Sequence, residues 1–119
     1  ASPIIEGKDK EHFAVILMNI KNHILSMPII SIGGLASSVV DVREVFKEAI
    51  KNNAASVIMV HNHPSGDPTP SKEDIFITRR MVAVGKIMDI PVLDHVIIGN
   101  NRYTSLKETG HIKGDNTAW

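Results

Sequence analysis

Cysteine is absent from this chain. Disulfides, thiolate metal sites and a cysteine nucleophile are therefore excluded, and any bound metal must rest on His, Asp or Glu. The same absence suits a reducing compartment. Excess charge of either sign is also missing, since 13 Lys and Arg offset 13 Asp and Glu for a formal net charge of zero. Such a surface cannot neutralise a run of phosphates, so direct nucleic-acid binding is not expected. No apolar run approaches the roughly 20 residues that a membrane helix needs. Nothing at the start reads as a secretory signal. The expectation is a cytoplasmic protein without membrane contact. The chain opens Ala1-Ser2-Pro3 rather than with Met, as the C-terminal piece of a longer chain would.

What is present is enough for one compact domain: 119 residues, 43% of them hydrophobic. A single domain over residues 1–119 is expected, with its core at about 11–111 and a loose polar tail at 112–119 in which only Trp119 offers a docking group. Residues 12–20 and 24–32 are strand-like apolar runs, and Lys21-Asn22-His23 between them reads as a hairpin turn. After Gly33-Gly34, apolar Val42, Val45, Phe46, Ala49 and Ile50 recur at helical spacing with charged residues between them. Asp41 is its expected N-cap, with Glu44 in the reciprocal position of a capping box. Residues 56–60 form a continuous β-rich run that ends at His61, as in a strand buried on both faces. A second helix starts at Ser71, with Ile77, Met81, Val84 and Met88 as its apolar stripe. Pro91 ends that helical region, 92–98 is a strand, Gly99-Asn100-Asn101 turns, and 102–104 pairs back. The order β β α β α β β implies a mixed α/β fold. One helix should lie on one side of a mixed sheet and the Ser71 helix elsewhere against it.

The stretch from His61 to Asp74 carries the chemistry. It reads His61-x-His63, seven residues, Ser71, two residues, Asp74. Histidines at i and i+2 leaving a strand point to one side, roughly 6.6 Å apart along the backbone, so both rings can converge on one ion. Three prolines and one glycine within residues 62–70 make a stiff loop. That loop returns the chain so that Asp74, in the first turn of the next helix, supplies a third ligand. Three protein ligands leave one position for water, whose pKa zinc lowers to about 7; this is the pattern of a hydrolytic site rather than a structural one.

Each component has a plainer reading. A His-x-His pair at a strand end is more often hydrogen-bonded than metal-bound, and Ser71 with Asp74 also spells a capping box. The two roles are compatible, because a carboxylate has two oxygens and a hydroxyl both donates and accepts. The joint occurrence at one loop favours the metal. Among the other candidates, Glu73 should point away from Asp74 and favour the helix dipole. Asp94 and His95 lie on opposite faces of a strand and so form no dyad, which leaves His95 structural or at most a partner of a ligand. His12, His23 and His111 lack partner spacing, and Ser37-Ser38 lacks the context of a nucleophile elbow.

The spacing His-x-His-x7-Ser-x-x-Asp resembles the JAMM signature of the JAB/MPN metalloprotease domain. The words HNHPSG, VREVFKEAI and LDHVIIG are similar to those of its RadC subfamily. The resemblance runs from about Glu11 to His111. It implies a cytidine-deaminase-like arrangement of mixed sheet and flanking helices, with zinc on His61, His63 and Asp74 and Ser71 helping to stabilise an oxyanion. It also implies a general-base glutamate from an early strand, which maps onto Glu11 ahead of FAVILMN; Glu44 is the rival.

Three functions follow as hypotheses. The first is a zinc-dependent hydrolase of peptide or isopeptide bonds, acting on an unknown peptide or protein. The second is an accessory domain with structural or vestigial metal in a DNA-repair-associated RadC protein, whose longer relatives carry a helix-hairpin-helix-like region absent here. The third, a zinc deaminase, requires cysteine ligands and is excluded.

Overall fold

The computed structural model describes residues 10–33 and 40–112. The elements are β1 (Glu11–Met18), β2 (Ile24–Ser26), β3 (Ile29–Gly33), α1 (Val42–Lys51), β4 (Ser56–Asn62), α2 (Lys72–Met88), β5 (Val92–Ile98) and β6 (Tyr103–Ser105). Ser37-Ser38 and Trp119 lie outside the described residues.

The first hairpin differs from expectation. β1 stops at Met18, and Asn19 organises the turn: its side chain accepts from the N–H groups of Lys21 and His23, while Asn22 takes the left-handed conformation. The second apolar run is two strands rather than one. Pro28 has no N–H to give the ladder, yet its carbonyl still accepts from Val15 N–H at 3.1 Å. β2 and β3 therefore pair in succession with the same edge of β1, with register shifts that absorb the break.

The sheet runs β2-β1-β4-β5-β6, with β3 also on β1. β4 pairs antiparallel with β1 and parallel with β5, so the sheet is mixed. Phe13, Val15, Leu17, Val57 and Met59 line one face, and Val45, Phe46 and Ala49 of α1 and Met81 of α2 pack on it in a single core cluster. Both helices thus share one face instead of being separated. Met88 of the expected α2 stripe is exposed. α2 ends at Met88, with Asp89 in the left-handed conformation, before Pro91 is reached. Asp41 caps α1 through the N–H of Arg43 rather than that of Glu44, and its carboxylate also engages the Arg43 guanidinium.

Candidate metal centre

Antiparallel pairing explains why residues 50 positions apart meet. Phe13 is opposite His61 in the β1–β4 ladder, so Glu11, two residues before Phe13, projects on the same face as His61 at the carboxyl end of β4. His63 lies just past the strand, its backbone N–H held by the Ile98 carbonyl at 2.8 Å. Asp74 arrives from the first turn of α2. Ser71 Oγ accepts from Asp74 N–H at 3.0 Å and Asp74 Oδ2 accepts from Ser71 N–H at 2.8 Å. This reciprocal cap fixes the carboxylate that faces the histidines.

The result is one cluster of donors: Glu11, His61, His63 and Asp74 offer atoms that all lie within 4.8 Å of one another. His61 Nε2 and His63 Nε2 stand 3.1 Å apart. Asp74 Oδ1 is 3.1 Å from the first and Asp74 Oδ2 is 3.1 Å from the second. Ligand atoms bound tetrahedrally at about 2.0 to 2.2 Å from one zinc are separated by about 3.3 Å, so this donor set fits such an ion. Glu11 Oε2 is farther, 3.6 Å from His61 Nε2, and its side chain is 24% exposed.

Each of these candidate ligands has a support. His63 Nδ1 is 2.9 Å from the Asp67 carbonyl; a carbonyl only accepts, so Nδ1 carries the proton and Nε2 offers its lone pair to the centre. The proline loop gives that carbonyl its position. Asp67 accepts from the backbone and hydroxyl of Thr69. Gly66, in a positive-φ conformation, packs so closely on Gly99 that a Cβ there would stand 2.3 Å from the Gly66 oxygen. His61 is buried, stacks on Phe13, and places Nδ1 2.7 Å from Nε2 of His95.

The electrostatics follow from this crowding. Burial pushes the Asp74 carboxyl up, but the His61 and His63 rings set against it outweigh that and hold the group well below the usual carboxylate range. The Asp74 hydrogen bond raises His63 above an ordinary imidazole. His95 is fully buried, and desolvation keeps it well below that range.

Glu44 is exposed on α1 and outside this group. Glu73 is exposed and outside the donor group, and it lines the rim of the cleft. Asp94 and His95 do not join side chains; the Asp94 carboxylate instead accepts from the His95 backbone, Ser105 and Lys107. One contributor escaped the sequence, and a second was read only in outline. Asn62, the middle residue of His-x-His, is buried and bonds to the backbone on both sides of Glu11. His95, expected to be structural or at most a partner of a ligand, is the partner of His61, and its burial on an apolar strand was the sign that it needed one. A cleft of about 370 Å³ lies over the cluster, walled by Phe13, Val40, Phe76, Ile77 and Arg80.

Fold and cluster define a mixed-sheet α/β domain with a two-histidine, two-carboxylate centre at the end of a central strand. The family described as the RadC-like JAB domain matches residues 2–111, and the chain belongs to it. A UPF0758 protein of Desulforamulus reducens is 60% identical over 104 residues, which cover 87% of this chain and 46% of the relative. Those of Bacillus cereus and Methanosarcina mazei are 56% identical over 103 residues and 51% over 111. The alignments cover 87% and 93% of this chain, and 46% and 48% of those relatives. The chain spans about half the length of the curated relatives it matches. No helix among the described residues is long and apolar enough to cross a membrane.

Proposed function

We propose that this domain is a zinc-dependent hydrolase of amide bonds, a peptidase or isopeptidase, with His61, His63 and Asp74 as the ligands. The observation that carries the reading is the 3.1 Å spacing of the two histidine Nε2 atoms, each with one oxygen of Asp74 at 3.1 Å and the Glu11 carboxylate just outside, on the floor of a cleft. Zinc at that position supplies Lewis acidity and lowers the pKa of a water to about 7. Glu11, partly exposed beside His61, removes a proton from the attacking water as its oxygen bonds to the carbonyl carbon. It returns that proton to the nitrogen as the C–N bond breaks. Ser71 Oγ is occupied as an acceptor by Asp74 N–H, which leaves its hydroxyl proton available to the oxyanion. Phe76 and Arg80, one turn apart on α2 with the guanidinium 5.9 Å from the ring centroid, would meet the substrate together at the cleft wall.

The test is a screen of peptide and isopeptide libraries with the zinc-loaded domain, the metal-stripped domain and Glu11→Gln. Cleavage that needs both zinc and Glu11 supports the proposal. Full zinc loading with no turnover of any amide favours instead a metal-binding accessory domain. The zero net charge of this chain gives such a domain no electrostatic footprint for binding nucleic acid directly.

A further inference from the structure

We infer that Thr78 and His95 are positioning residues that together dictate which nitrogen of His61 carries its proton, and so keep His61 Nε2 free for a metal. The inference rests on the metal reading above. It starts from a chain of buried groups that runs from α2 through β5 to β4. Thr78 Oγ1 is 2.6 Å from the Asp74 carbonyl and 2.5 Å from His95 Nδ1. His95 Nε2 is in turn 2.7 Å from His61 Nδ1. Thr78 and His95 are both 0% exposed, and His61 is 1% exposed. Water is therefore not a competing partner along the chain.

The directions of these bonds are not free. A carbonyl oxygen only accepts, so at 2.6 Å the single hydroxyl proton of Thr78 is given to Asp74. The hydroxyl oxygen then acts as acceptor toward His95, and His95 Nδ1 must be the N–H donor. A neutral imidazole carries one ring proton; with Nδ1 protonated, His95 Nε2 is bare and accepts. Its partner, His61 Nδ1, is then the donor, and the remaining lone pair of His61 is on Nε2, the atom 3.1 Å from both His63 Nε2 and Asp74 Oδ1.

The alternatives give the opposite result. With His95 protonated on Nε2 alone, or on both nitrogens, His61 Nδ1 must accept and its proton moves to Nε2, which blocks that ligand. His63 reaches the same tautomer by a simpler device, a backbone carbonyl on Nδ1. For His61 the carbonyl is two groups away, and it is the carbonyl of Asp74. One ligand's backbone thus sets the protonation of another ligand's ring.

The experiment combines ring-nitrogen NMR of 15N-histidine protein with zinc titration, at a pH above the ordinary imidazole range. In metal-free and zinc-loaded protein alike, His95 should carry its proton on Nδ1 with Nε2 bare, and His61 should be protonated on Nδ1. Thr78→Val, close in shape but unable to accept from Nδ1, should release the His95 tautomer and weaken zinc binding by about 10- to 100-fold, the usual cost of losing a partner of a ligand. Thr78→Ser restores the hydroxyl and should restore both readouts, which separates the hydrogen bond from any packing defect. A His95 proton found on Nε2 overturns the inference, as does a folded Thr78→Val that binds zinc with unchanged affinity. Zinc that fails to bind the unaltered protein defeats the metal reading instead, since the tautomers are read without metal.

Discussion

Asn62 holds the backbone on both sides of Glu11: its Oδ1 accepts from His12 N–H at 2.6 Å and its Nδ2 donates to the Lys10 carbonyl at 3.0 Å. The residue between the two histidines therefore fixes where β1 begins and where the Glu11 side chain departs. Asn62→Ala leaves two backbone groups without these partners, at a cost of about 1–3 kcal/mol. Stability measured by urea unfolding should fall by that amount, and turnover should fall with it as Glu11 loses its anchor. Zinc affinity should change only a few-fold, because these two Asn62 bonds run to the backbone beside Glu11 and not to the histidine rings. A loss of zinc equal to that of a ligand variant would show that Asn62 supports the histidines instead.

Ligand and base are separable by substitution. His61→Ala and Asp74→Ala should each abolish zinc binding and hydrolysis together, and Asp74→Ala should also lose about 1 kcal/mol as the reciprocal cap of α2 is broken. Glu11→Gln keeps size and reach but takes no proton. Zinc should remain bound while turnover falls by roughly 10²- to 10⁴-fold. Glu44→Gln, on the exposed first turn of α1, should cost at most about 1 kcal/mol through the helix dipole and leave activity intact. Metal content and turnover measured on the same four variants decide the assignment, and full activity in Glu11→Gln would sink it.

Much of this site is local, and that is why it was legible. His61, His63, Ser71 and Asp74 fall within 14 consecutive residues, and strand alternation, loop stiffness and helix capping all act at that range. Glu11 was reached only through family resemblance. Its place depends on pairing between β1 and β4 across 50 residues, which no local rule specifies. His95 was expected to be structural or at most a partner of a ligand, but which ligand it meets depends on the same kind of long-range pairing: the parallel β4–β5 register sets Met59 against His95 and brings its ring to His61. In the fold, the spacing of apolar residues marked both helices but said nothing of which sheet face they share. The division of the second run at Pro28 was readable in principle, since a proline withholds one ladder donor.

The metal-free site should respond to pH in two windows. The carboxyl of Asp74 is depressed when folded, so its contribution to stability is present above the ordinary carboxylate range and is lost as pH falls below it. The imidazole of His63 is raised by Asp74, so its contribution is complete below pH 6.5 and disappears as pH rises above that value. Urea midpoints of stripped protein should decline on both sides. Zinc reverses the upper limb, because His63 must shed its proton to bind. Affinity should climb with pH just above 6.5, and a flat affinity there would count against His63 as a ligand.

The capping of α2 by Ser71 and its proposed oxyanion role are tasks that glycine can separate. Its Oγ accepts from Asp74 N–H as the N-cap of α2, and the same hydroxyl has a proton to give the oxyanion. Ser71→Ala should lose about 0.5–2 kcal/mol of stability, whereas Ser71→Gly, the better cap of the two, should lose only a few tenths. Neither retains a hydroxyl, so both should lose activity alike, by about 10²- to 10³-fold in kcat for one missing oxyanion donor. KM should move little, since the donor acts on charge that develops after binding. Thermal unfolding and steady-state kinetics on the pair make the separation. If activity follows stability, with the glycine variant near full turnover, Ser71 serves the helix alone and the oxyanion is stabilised by another group.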